Sequence, residues 1–298
     1  MYAYFMPSFE PAESTNVNQT SLAVHEAGEG APVVFVHGGV SDLRTWANQV
    51  GPFAETFRAI TYSRRYHCPN ATIPSDAPDP IQTHVDDLAA LIKARDADPA
   101  HIVGHSWGAL IALLLAVDRP TLVRSLVLIE PPTVSMHVNV PPKFSQMIGL
   151  LFRSPKLAVA IAKLGIGALA PAEKAFRNGN DKKAVELFGR GVLGNRRFVS
   201  LSAERYKQVW DNRGPDRAIA IYDGFPDLRA IELAQVSMPV LLVSGSESPR
   251  VFPLLIDDLS QRLSNARRLV VQGASHIIHE DAPTALNDAV LHFLKEID

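Results

Sequence analysis

The sequence predicts an α/β protein, with a mostly parallel β-sheet flanked by helices and interrupted by one long helical insert. Three observations carry that reading. Short β-branched and aromatic runs alternate with amphipathic stretches up to Pro132, which is the rhythm of βαβ units. From Thr133 to about Val236 there are several helix-like stretches and no convincing strand. After Met238-Pro239 the alternation returns and runs on through the remaining residues.

Residues 1–16, with Pro7, Pro11, Ser8, Ser14, Thr15 and scattered aromatics, read as an N-terminal arm. Ser21–Glu26 alternates weakly and stops at Gly28-Glu29-Gly30, a strand followed by a turn. Pro32–Val36 is a continuous β-branched and aromatic run, suited to a strand buried on both faces, and it ends in His37-Gly38-Gly39. Ala59–Tyr62 is a short strand candidate. A Pro-rich loop over 69–80 leads into Val85, Leu88, Ala89, Leu91 and Ile92, a helical stripe. Ala100–Val103 reads as strand, Ala109–Val117 as helix, and Ser125–Ile129 as strand again, closed by Pro131-Pro132.

Within the insert, Ser154-Pro155 gives a cap and first helical position, Asn180-Asp181 marks a second start, and Ser202–Trp210 a third helix. Beyond it come Val240–Val243, a helix over about 254–263, Arg268–Val271 and a last helix over 284–297. The expected domains are the arm over 1–16, an α/β core over 17–132 and 237–298, and a helical cap over 133–236.

Composition narrows the classes. Of 298 residues, 47% are hydrophobic and 20% charged, an ordinary globular mixture that excludes disorder. The net charge of −2 demands neither a nucleic acid nor an anionic membrane as partner. Cys68 is the sole cysteine, so no internal disulfide framework or thiolate metal cluster can form. No Lys or Arg precedes Arg44, so the opening stretch lacks the basic region of a signal peptide. The longest clean apolar run, Ala109–Val117, is half of the ~20 residues a bilayer requires. A cytoplasmic protein is the expectation. The insert holds 16 Lys/Arg against 9 Asp/Glu; this reads as a solvated helical surface, with a pocket roof biased toward anionic or carbonyl-rich ligands as the alternative.

The sharpest motif is Gly104-His105-Ser106-Trp107-Gly108, directly after one strand and directly before a helix. A nucleophilic serine must stand clear of the sheet, which takes a sharp strand-to-helix turn with glycine two residues to either side. Its place at a helix start also aims the Trp107 backbone N–H at developing negative charge. His37-Gly38-Gly39 ends an earlier strand and offers the second backbone donor that tetrahedral acyl chemistry needs, Gly39 first and Gly38 behind it. Serine needs a base. Among the ten histidines, His276 in Gly273-Ala274-Ser275-His276 lies just past the last strand, so its loop opens at the same sheet edge as Ser106. His37, His84, His101 and His105 read as structural, and His292 falls in an apolar helical pattern as a packed residue. Arg64 and Arg65 are expected to pair with Asp86 and Asp87, with reach to the site as the alternative, and the cap aromatics Phe144, Phe152, Tyr206, Trp210 and Tyr222 to lie in the core, some of them lining the pocket beneath the cap. No Walker loop, G-x-G-x-x-G or metal motif occurs, so no cofactor and no metal is implied.

With the His37-Gly38-Gly39 loop, the Ser106 elbow, a helical insert and the late His276, the chain resembles the α/β-hydrolase superfamily over residues 20–298. The order Ser, acid, His is also that family's. The triad acid departs from the commonest pattern. Its usual place, three residues past the glycine of Gly245-Ser246-Glu247-Ser248-Pro249, holds Ser248, and Glu247 stands one residue short. A second location known in the superfamily is the end of the strand after the nucleophile helix, where Glu130 stands in Leu128-Ile129-Glu130-Pro131-Pro132. Its separation from Ser106 is similar to that in haloalkane dehalogenases and zearalenone-lactonase-like hydrolases. Glu130 is therefore the first choice and Glu247 the second.

The resemblance implies a capped serine hydrolase cleaving an ester or lactone of a small molecule with water. A serine nucleophile disfavours epoxide and haloalkane hydrolysis, for which the family uses aspartate. Carbon–carbon bond hydrolysis of a diketone-like substrate, or a ligand sensor with little turnover, are the alternatives.

Overall fold

The computed structural model describes residues 13–298. Among them, eight strands form one sheet: β1 (Glu13–Val17), β2 (Thr20–Ala27), β3 (Pro32–Val36), β4 (Arg58–Tyr62), β5 (Ala100–His105), β6 (Val123–Ile129), β7 (Val240–Gly245) and β8 (Ala266–Val271). Their order across the sheet is β1-β2-β4-β3-β5-β6-β7-β8. The first two pairings, β1 with β2 and β2 with β4, are antiparallel and the rest parallel. Every residue of β5 and β7 is buried, as expected of strands covered on both faces. The chain winds outward from β3 in one direction and from β5 in the other, so a crevice opens at their C-terminal ends. That topology decides where chemistry can sit.

The arm expected over 1–16 does not extend that far. Residues 1–12 lie outside the described region, and Glu13–Val17 is a strand whose register runs Glu13↔Val24 to Val17↔Thr20. The turn at Asn18 and Gln19, both at positive φ, folds it back on β2. Five polar-rich residues carry little strand signal of their own; the edge of β2 supplies it.

Helices α1 (Ala47–Ala54), α2 (Ile81–Ala94), α3 (Trp107–Asp118), α11 (Val251–Arg262), α12 (Ile278–Asp281) and α13 (Pro283–Lys295) belong to the sheet region. Leu110, Ile111, Leu113 and Leu115 of α3 are all fully buried; a helix apolar all round must be enclosed.

Between β6 and β7 the chain is helical from residue 144 to residue 223. This stretch comprises α4 (Phe144–Arg153), α5 (Pro155–Leu164), α6 (Ala170–Arg177), α7 (Asp181–Leu193), α8 (Asn195–Val199), α9 (Ala203–Asp211) and α10 (Arg213–Ala218), with wider π-type turns at Gly165–Leu169 and Ile219–Asp223. Asn180 and Ser202 cap α7 and α9, accepting from the N–H of Lys183 and Arg205 at 3.1 Å each. The run Pro155–Arg177 is 23 residues of near-continuous helix, by length and composition enough to cross a membrane. Lys156 and Lys163 interrupt its apolar run. Its inner residues Leu157, Ile161, Ala172 and Phe176 are packed within the protein.

Candidate active site

The elbow is built by crowding. Ser106 sits at φ 51°, ψ −119°, between the last residue of β5 and the first of α3, a backbone strain kept only where the surroundings over-determine it. A Cβ on Gly108 would lie 2.2 Å from the carbonyl oxygen of Val36 and 2.4 Å from that of His37, and one on Gly104 would lie 2.6 Å from Ala109 Cα. Both glycines are therefore obligatory. The Ser106 N–H donates to the Ile129 carbonyl (2.8 Å), while the Trp107 N–H, at the first helical position, has no intrahelical acceptor.

His276 arrives from the loop after β8. Its Nδ1 lies 2.6 Å from Glu130 Oε2, and Glu130 Oε1 accepts the Gly245 N–H at 2.9 Å. Glu130 is fully buried and takes φ 48° at the end of β6. With Nδ1–H donated to the carboxylate, Nε2 of His276 is left as the basic nitrogen. The imidazole stacks on Phe252 at 3.9 Å and 19° between planes. His105, the residue before the serine, donates from Nε2 to the His276 carbonyl (2.9 Å) and so ties the elbow to the histidine loop. Burial, with His279 and His276 nearby, holds His105 well below the ordinary imidazole range. Glu247, on the adjoining strand end, is exposed, and its N–H donates to the Ala274 carbonyl (2.9 Å).

The His37-Gly38-Gly39 loop is fixed from behind. His37 Nε2 accepts the Arg64 N–H (2.9 Å), so its proton sits on Nδ1 and is donated to the Gly38 carbonyl (2.9 Å). Arg64 Nη2 donates to the same carbonyl at 2.8 Å. In a trans peptide the N–H points opposite to the C=O, so holding the Gly38 carbonyl turns the Gly39 N–H the other way. Burial and the Arg64 charge keep His37 neutral, well below its usual range, and burial lowers Arg64 itself to about 10. A Cβ on Gly38 would come 3.3 Å from Ser106 Cβ, which puts the loop against the elbow.

The expected pairings of the arginines divide. Arg65 pairs with Asp87 (2.8 Å), whereas Arg64 makes no ion pair among the described residues and serves the loop; Asp86 pairs with Arg119 instead. Nothing in the sequence separates two adjacent arginines, both of which lie in the loop beyond β4.

The helical insert reaches this loop. Asp42, fully buried, accepts from Gln208 (2.8 Å) and Asn212 (2.7 Å), and Arg205 pairs with Glu280 (2.8 Å). Asp216 Oδ1 lies 2.8 Å from where a Cβ on Gly39 would be, and burial lifts its carboxyl to about 7 against the pull of Arg64.

Other expectations fail. His292 is not packed: its side chain is 77% exposed and pairs with Glu296 at 3.0 Å. Phe144 and Phe152 are 82% and 84% exposed, and Tyr222 is also exposed, so these cap aromatics are not core. Phe252 and Arg64, which shape the site, carried no motif and only the fold brings them to it; His105 stood inside the elbow motif, but its tie to the His276 loop did not show in the sequence.

A family model described as the alpha/beta hydrolase fold matches residues 31–283. The chain is 26% identical over 297 residues to the AB hydrolase superfamily protein YfhM of Bacillus subtilis (strain 168), covering 94% of this chain and 96% of that one. Its structure is similar to that of the enol-lactonase from Burkholderia xenovorans LB400, with TM-score 0.64, 22% identity, and 95% and 100% of the two chains covered. A thermophilic esterase from Thermogutta terrifontis aligns with TM-score 0.65 at 18% identity, covering 95% and 97%. At those identities the two structures speak to the fold. On the match spanning most of its length, the chain belongs to the alpha/beta hydrolase fold family.

Proposed function

We propose that this chain is a serine hydrolase that opens a carboxylic ester or lactone of a small molecule through an acyl-enzyme. The observation that carries the reading is the buried pair Glu130–His276, stitched through His105 to the elbow bearing Ser106. Ser106 Oγ attacks the carbonyl carbon as its proton passes to His276 Nε2, and Glu130 stabilises the imidazolium that forms. The Trp107 and Gly39 N–H groups, with Gly38 behind, hold the oxyanion, each such donor being worth ~10²–10³ in rate. Collapse expels the alkoxide, which takes the proton from His276. Water then adds to the acyl carbon with His276 as base, and the acid leaves as Ser106 regains its proton. The helical insert over Gly39 and Asp42 shields the acyl-enzyme and selects the substrate.

The test is a panel of esters and lactones with a fluorophosphonate probe. Wild type should label at Ser106 and turn over at least one member, and Ser106→Ala should lose labelling and about 10⁴-fold or more in kcat/KM. Turnover that survives Ser106→Ala would sink the mechanism. Cleavage of a vinylogous diketone with no ester activity would move the chain to the carbon–carbon hydrolases.

A further inference from the structure

The outer face of the helical insert has a composition that the catalytic reading leaves unused. Between residues 131 and 172 the sequence holds Lys143, Arg153, Lys156 and Lys163 and not one Asp or Glu. All four cations are exposed, and none makes an ion pair among the described residues. Beside them stand apolar side chains in open solvent. On α4, Phe144 (82% exposed), Ile148, Leu151 and Phe152 (84%) follow i, i+4, i+7, i+8 spacing and form one stripe. Val159 and Ile166 continue the pattern on α5 and the turn after it, with Lys163 between them on the same face. The inner faces are fully used: Leu150, Leu157 and Ile161 pack with Val251, Phe252 and Leu255 of α11. The stripe is therefore a second apolar face, not a badly packed first one. Contiguous exposed apolar surface of this kind marks an interaction site.

We propose that this face docks on an anionic phospholipid surface, with Phe144 and Phe152 entering the headgroup–acyl boundary and Lys143, Lys156 and Lys163 meeting the lipid phosphates. Helices with bulky apolar residues on one side and Lys/Arg around them lie in that interface, and each basic side chain near the surface adds attraction to anionic lipid. Charge decides between occupants. A second copy would meet this face isologously, placing Lys143, Lys156 and Lys163 against their own kind with no carboxylate in the segment to offset them. Asp257 and Asp258 on α11, which line a pocket with Arg153, are already taken by Arg268 and by Arg262 and His137. An anionic bilayer offers negative charge and apolar depth together.

The proposal is independent of the reaction assigned to Ser106. The test is co-sedimentation of the full chain with phosphatidylcholine vesicles, alone or with about a quarter phosphatidylglycerol. Phe144→Ser/Phe152→Ser and Lys156→Glu/Lys163→Glu are compared with wild type, with circular dichroism and Tm as folding controls. Wild type should sediment with the anionic vesicles and be released by salt, since screening shortens charge attraction to about 10 Å or less above 0.1 M. Each double variant should lose about tenfold or more in partitioning while keeping its fold. The proposal is overturned if wild type ignores both vesicles, or binds neutral and anionic vesicles equally. It is also overturned if light scattering shows a dimer that Phe144→Ser/Phe152→Ser splits, which would give the face to a second copy.

Discussion

The neighbouring strands β6 and β7 each end near a glutamate, in opposite surroundings. Glu130 is sealed at the end of β6, with both carboxylate oxygens engaged, one by His276 and the other by the Gly245 N–H of the adjoining strand. Glu247 stands two residues past the end of β7, exposed, and contributes only its backbone to the fold. The strand that might have supplied the acid instead supplies a hydrogen bond that orients its neighbour's. A carboxylate can steer an imidazole only where water does not compete for it and its other oxygen is satisfied.

Four measurements sharpen or break that contrast. The largest effect is expected from Glu130→Gln, which loses the charge that stabilises the imidazolium and should lower kcat/KM by about 10³–10⁴-fold at little cost in KM. Gly245→Ala comes next. Its Cβ would lie 2.3 Å from the Ala274 carbonyl oxygen and 2.8 Å from that of Ser275, so the loop carrying His276 must shift. We expect a loss of about 1–3 kcal/mol in stability by denaturant titration, with an activity loss of about tenfold or more.

A third glutamate supplies a reference for burial beside a cation. Burial alone would raise the Glu280 carboxyl, but Arg205, His279 and Thr45 outweigh it and bring it from 4.5 to about 2. A carboxylate lowered on folding contributes stability above its unfolded value and loses it as pH falls through the folded one. Thermal melts should therefore drop between pH 4.5 and pH 2 by an amount equivalent to about 3 kcal/mol, and Glu280→Gln should flatten that part of the profile. The smallest effect is expected from Glu247→Gln, within about twofold of wild type in kcat/KM. If that variant is the inactive one and Glu130→Gln is not, the assignment of roles to the two strand ends is reversed.

The sheet was legible because most of its buried strands are short runs rich in Val, Ile, Leu and Phe with glycine or proline close behind, a pattern that survives without knowledge of its neighbours. The elbow and the late histidine were legible for a similar reason: steric demand writes Gly104 and Gly108 into the chain, and strand order puts His276 at the right edge. What the sequence did not disclose depended on contacts far away in the chain. Glu13–Val17 is a strand only because β2 offers an edge. Arg64 holds the Gly38 carbonyl and Arg65 pairs with Asp87, partners that only the folded loop after β4 assigns. Phe144 and Phe152 look like core by residue type, yet the one buried face of α4 is already filled by Leu150.

The tight seat of Gly108 against the end of β3 has an engineering consequence. A helix start with no room for a methyl group beside those two carbonyls cannot slide or tilt independently of them. The catalytic floor should therefore be treated as one casting in any redesign, and a change of substrate scope sought in the roof, where helices can be redrawn without disturbing the reacting groups.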